Sequence, residues 1–148
     1  MRKRLIGEVD VFQLDDTHEL YGHMNVNYVR LSELPRFDDY GRMLDSLAAG
    51  SYFVSTGEVL LPESSITRSG GDVNVKARIQ WTFPLAFAIV VWSDGQTTHR
   101  VPIPLDTTRQ FQNQSFHWTV AAPGAKWARV EVWDIAGNGA FVNPAWLQ

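Results

Sequence analysis

The chain contains no cysteine. That absence removes disulfides, zinc–thiolate centres and thiol nucleophiles together. It leaves the compartment open, because a cysteine-free chain survives in an oxidising space as well as in a reducing one. Long apolar runs are absent too: nothing approaches the ~20 residues of a membrane-spanning helix. Behind the basic start Met1-Arg2-Lys3-Arg4, only Leu5 and Ile6 precede Gly7 and Glu8. A secretory leader needs an apolar stretch of roughly 7–15 residues, so neither a signal peptide nor a transmembrane segment is expected, and localisation stays unknown. Charge of one sign is not in excess. With 13 basic and 16 acidic side chains, mixed along the chain to a net −3, there is no basic face for nucleic acid. Neither nucleic acid nor membrane is expected as a partner.

What is present suffices for a packed core. The 148 residues are 45% hydrophobic and 12% aromatic, which excludes global disorder and fits one domain, or one domain with a fragment of another. Three zones differ in pattern. In residues 5–31, Val9, Val11, Phe12 and Leu14 suggest a strand, and Met24 to Leu31 alternates with period two and suggests a second. Between them lies the segment Asp16-Thr17-His18-Glu19-Leu20-Tyr21-Gly22-His23. Residues 35–50 hold the one convincing helix, read as 38–49. Tyr40, Met43, Leu44, Leu47 and Ala48 fall on one helical face, Asp38 and Asp39 suit the positive N-terminal end, and Gly50 is placed to stop it. Such a helix buries one side only, so it must dock on a sheet or another helix.

From about Tyr52 onward the chain reads as strands and turns. Val73, Val75, Ala77, Ile79 and Trp81 alternate with Asn74, Lys76, Arg78 and Gln80, as in a half-buried antiparallel strand. Leu85 to Trp92 is continuously apolar, as in a central strand, and Ser93-Asp94-Gly95-Gln96 supplies a hairpin turn. Thr97 to Leu105 follows, with Pro102 and Pro104 marking an edge. Ser115–Val120, 127–135 and a final strand over 140–147, broken by Pro144, complete the set. Strands at this spacing without intervening helices indicate a mainly β fold, an antiparallel two-sheet β-sandwich of immunoglobulin or fibronectin type.

The chemistry-bearing residues are few. His18-Glu19-Leu20-Tyr21-Gly22-His23 is not a zinc-protease helix, because its histidines stand five residues apart, about 140° around a helix. Asp16 and His18 form a better pair. At i and i+2 on an extended strand they point to the same side, so a carboxylate and an imidazole can converge on one cation. Taken alone, such a pair is more often a turn with a hydrogen-bonded histidine. Among the six tryptophans, Trp81 shares the face of Val73, Val75 and Ile79 and belongs to the core. Trp127 and Trp133 share the parity of Arg129 and Glu131, opposite Ala128, Val130 and Val132, and are candidates for a binding surface. Covering a docking surface is favoured over sugar stacking for them. Ser55-Thr56-Gly57-Glu58 and Ser69-Gly70-Gly71-Asp72 read as a strand end and a hairpin turn.

Three stretches carry a family resemblance: Val11 to His18, Asn27 to Leu31, and Leu44 to Gly57 with its Phe53-Val54-Ser55-Thr56-Gly57 ending. Together they resemble the end of a metal-dependent hydrolase of the polymerase-and-histidinol-phosphatase (PHP) superfamily, in the branch related to carbaryl hydrolase. The β-sandwich that follows such barrels resembles the stretch Gly137 to Trp146. The resemblance implies two regions. Residues 1–58 would be the strand-helix remnant of a PHP-type barrel, and residues 59–148 the trailing sandwich. It makes Asp16 and His18 the terminal ligands of a divalent metal (Zn, Mn or Fe) in the full-length enzyme. Glu19 and His23 match no assigned position and are candidates to stand behind those ligands, with His23 equally readable as a surface residue. The family's upstream His-x-His ligands have no counterpart here. No cofactor and no catalytic residue is therefore expected in this chain alone, and two ligands would hold a divalent ion poorly. The expected partners are the missing N-terminal barrel, or a second copy that residues 1–50 would complete as a homodimer. The rival expectation is a free-standing carbohydrate- or protein-binding module.

Overall fold

Period-two alternation becomes a two-faced strand wherever one side can be buried. The computed structural model describes residues 4–7 and 25–147, and most of it follows that rule. In chain order the elements are β1 (Val26–Val29), α1 (Gly41–Ala49), β2 (Tyr52–Ser55), β3 (Val59–Ser69), β4 (Asp72–Trp81) and β5 (Leu85–Ser93), then β6 (Thr98–Pro104), β7 (Gln112–Ala121), β8 (Trp127–Asp134), β9 (Gly139–Val142) and β10 (Ala145–Trp146).

The strands form two antiparallel sheets. One has seven strands in the order β1-β2-β9-β8-β5-β6, with β10 also pairing β8, and the other is β3-β4-β7. Val73, Val75, Ala77, Ile79 and Trp81 of β4 share one core with Ala88, Val90 and Trp92 of β5 and with Ala128, Val130 and Val132 of β8. Each such valine or isoleucine contributes about 1.5–3 kcal/mol relative to its exposed form. The mainly β, two-sheet expectation holds, and the arrangement fits a sandwich.

Several boundaries differ from the sequence reading. The helix begins at Gly41 rather than residue 38. Asp39 is held in a turn by its N–H bond to the Arg36 carbonyl, and its own carboxylate accepts the Gly41 N–H at 3.0 Å. At the other end Gly50 is left-handed (φ 75°), the conformation a C-terminal stop requires. The last strand divides into β9 and β10 around Asn143 and Pro144. β3, eleven residues long, is the one long strand that the alternation did not announce. Its register shifts between Leu60 and Glu63, where Pro62 interrupts the ladder. The 58/59 boundary falls between β2 and β3, where the chain crosses from one sheet to the other. Phe53↔Val142 and Tyr28↔Phe53 pairs make β1 and β2 part of the larger sheet.

Candidate functional site

Asp16, His18, Glu19 and His23, the metal-site candidates, lie outside the described residues. Their approach is visible at residues 4–7. The Leu5 N–H donates to Asn143 Oδ1 (2.8 Å), the Gly7 N–H donates to Asn27 Oδ1 (2.9 Å), and Asn27 Nδ2 donates back to the Gly7 carbonyl (2.7 Å). A Cβ on Gly7 would stand 2.6 Å from Val54 Cγ1, so glycine allows the backbone to press onto the sheet. Among the described residues no group of three or more His, Asp or Glu side chains could hold a metal ion. No helix among them is long and apolar enough to cross a membrane.

Trp127 and Trp133 lie on β8, on the face turned away from the three-stranded sheet, and both are half-buried. Between them sits Glu131, only 5% exposed. Its Oε2 meets Arg100 Nη2 at 3.1 Å and the Trp133 indole N–H at 3.4 Å, while its Oε1 pairs with Arg129 Nη2. The register of β5 assembles this group: Val91 pairs with Arg100 of β6 on one side and with Arg129 of β8 on the other. The Arg129 guanidinium also lies 5.7 Å from the centroid of the Phe141 ring. Burial pushes Arg129 below its ordinary value, the charge and hydrogen bond of Glu131 raise it, and the Arg100 charge lowers it further. A carboxylate paired on both oxygens is a poor general base. Arg100, half exposed, keeps donors free for an anion. Sequence parity exposed the Arg129-x-Glu131 step; Arg100, 31 residues from Glu131, was not legible without the register.

Two further features lie at the β1 end. Tyr28 and Phe53 stack with centroids 4.8 Å apart and planes 2° from parallel. They wall a cavity of about 490 Å3, together with Leu60, Ile66 and Val142, and Arg30 closes its rim by donating to the Pro62 carbonyl. Beyond it, the segment from Leu34 through α1 is largely exposed, with only Pro35 and, on α1, Met43, Ser46 and Leu47 half-buried. Leu34 is 90% exposed, Phe37 94% and Leu44 58%, and α1 has no buried residue. His99 stacks on Trp92 at 4.0 Å in the larger sheet, and His117 is exposed on β7.

No family model, no curated protein and no solved structure matches the chain.

Proposed function

We propose that this chain is the C-terminal accessory region of a metal-dependent, phosphoesterase-like hydrolase. It would be an immunoglobulin- or fibronectin-like sandwich joined to the last strand and helix of a PHP-type barrel, with a structural or docking role and no turnover of its own. The observation that supports this reading most is the exposure of four large apolar side chains, Leu34, Phe37, Tyr40 and Leu44, ahead of and on α1. An amphipathic helix gains most of its stability from burying its apolar face, yet α1 buries no side chain fully, half-covering Met43 and Leu47 and leaving Leu44 58% exposed. The segment is tied to the chain end of β1 through Ser46 Oγ, which donates to the Arg30 carbonyl at 3.2 Å. A catalytic barrel seated there would cover it. In the whole enzyme Asp16 and His18 would supply the last metal ligands, with Glu19 and His23 near them, and the divalent ion (Zn, Mn or Fe) would activate water for ester hydrolysis.

Metal analysis and a phosphatase assay of the purified chain test the reading. Substoichiometric metal and no turnover are expected; stoichiometric metal with turnover overturns it. The reading frame upstream of Met1 gives an independent check, with an in-frame His-x-His motif expected.

A second reading, a free-standing carbohydrate- or protein-binding module, draws on the half-buried Trp133 beside the half-exposed Arg100. Tryptophan-fluorescence titration with neutral and acidic sugars tests it, with Trp127→Ala and Trp133→Ala as controls. Quenching that both variants abolish would favour the module.

A further inference from the structure

Sheet edges expose unpaired N–H and C=O groups, and proteins blunt them with prolines, charges, bulges or shortness. Among the described residues, β1, β3, β6, β7 and the two-residue β10 have a strand neighbour on one side only, and all but β7 are short or blunted. β6 carries Pro102 and Pro104, which have no N–H to offer. β3 is broken by the shift at Leu60/Glu63 and carries Glu63 and Arg68. β1 is four residues long. β7 has none of these devices. It runs ten residues, Gln112–Ala121, without a proline, lysine, arginine or carboxylate.

The free backbone groups on β7 can be assigned. The Thr82 N–H donates to the Glu58 carbonyl (3.1 Å) and the Ala122 N–H to the Gly71 carbonyl (2.8 Å). Bonding direction alternates along an antiparallel ladder, so even-numbered residues of β4 face β3 and odd-numbered ones face β7. Their β7 partners are the even-numbered residues, as in Val75↔Trp118 and Ala77↔Phe116. Asn113, Ser115, His117 and Thr119 therefore direct their N–H and C=O groups away from the sheet. An apolar seam runs beside this edge: Phe116 and Trp118 of β7, stacked at 5.4 Å, and Val101 and Ile103 of β6, all half-buried.

We propose that β7 pairs antiparallel with β7 of a second copy, about a two-fold axis at His117, joining two three-stranded sheets into one. This register sets outward-bonding residues against each other: Ser115 faces Thr119 of the second copy, and His117 faces itself. On the inner side Phe116 meets Trp118 of the second copy, and symmetry repeats that aromatic contact. Cross-strand aromatic pairs each contribute roughly 0.2–1 kcal/mol. The strand carries no carboxylate, lysine or arginine to set like charges together. A ten-residue edge is about 34 Å long and, with two layers about 10 Å apart plus side chains, about 20 Å deep. That gives about 700 Å2 on each copy, within the ~600–1,000 Å2 that specific complexes bury per partner. The proposal is independent of the accessory-region reading, since β7 and β1 belong to different sheets.

Sedimentation velocity of the full chain from about 1 μM to about 1 mM tests it, a range that brackets weak association. A concentration-dependent dimer is expected, weakened about tenfold or more, equal to 1.4 kcal/mol, by Ser115→Lys. Ser115 is exposed at the edge but faces Arg78 of β4. At about 1 μM, where both chains are monomeric, the variant should therefore lose no more stability than a like-charge pair costs, roughly 0.2–1 kcal/mol. Hydrogen exchange on the wild-type chain keeps the test valid if the variant fails to fold. The Ser115, His117 and Thr119 amides should gain protection as concentration rises. A strict monomer at the top concentration overturns the proposal. So does a dimer with concentration-independent exchange in β7, or one disrupted by Phe37→Ser and untouched by Ser115→Lys.

Discussion

The indole of Trp133 lies over Gly139, its partner across the β8–β9 ladder: a Cβ on that glycine would fall 2.5 Å from ring atom Cε3. Gly139 is thus required for space, whereas Gly50 is required for its left-handed backbone. Gly139→Ala should displace the ring, loosen its contact with Glu131, and cost about 1–3 kcal/mol, as overpacking does. Urea denaturation followed by tryptophan fluorescence measures both effects. An unchanged midpoint and emission spectrum would show that the ring has somewhere else to go.

Glu131 is the anion on which two cations depend. Glu131→Gln keeps the shape but leaves Arg129, 17% exposed, without its counter-charge. A loss of about 3 kcal/mol is expected, the size seen when one partner of a buried pair is removed. Arg100→Gln should cost under about 1 kcal/mol, because more than half of that side chain is in water and exposed pairs are weak. Chemical denaturation of the two variants side by side checks the asymmetry. Equal losses would mean that the pair nearer the surface contributes as much as the buried one.

What the sequence disclosed, and what it hid, follows from how local each signal is. Val73 to Trp81 announced a strand because one residue in two meets the core, and Leu85 to Trp92 did so by being apolar throughout. Gly50 announced the end of α1 because one backbone angle decides it. β3 stayed hidden because Pro62, Glu63, Ser64 and Ser65 break the alternation, and their strand state rests on pairing with β4. The Arg100–Glu131–Arg129 cluster stayed hidden for a related reason. It exists only once β5 is placed between β6 and β8 in a fixed register, and no spacing along the chain encodes that register.

The turn between β5 and β6 should make stability depend on acid. Asp94 Oδ1 accepts the N–H groups of Gln96 and Thr97, both at 2.8 Å. Those bonds, Thr97 first, hold its carboxyl below the usual 3.8. A group whose folded value is depressed stabilises fully above its unfolded value and loses that contribution as pH falls through the folded one. The thermal midpoint of the wild-type chain should therefore drop as pH falls from about 4, near the ordinary aspartate value, into the range below it. Asp94→Asn, which titrates nothing there, should show a shallower slope in the same window. Identical slopes would remove Asp94 from the acid response.

The exposed apolar side chains ahead of α1 and on its surface give the last expectation. Phe37 is 94% exposed and Leu34 90%, so neither side chain loses core contacts when shortened. Leu34→Ser with Phe37→Ser should change folding stability by no more than about 0.5 kcal/mol, as for surface positions away from special features. The same pair should reduce binding of a hydrophobic dye and raise solubility, because two large apolar side chains leave the surface. Dye fluorescence and a thermal melt of the double variant measure the two quantities separately. A large loss of stability would mean that these side chains already pack within the folded chain, and the apolar surface that supports the docking role would be gone.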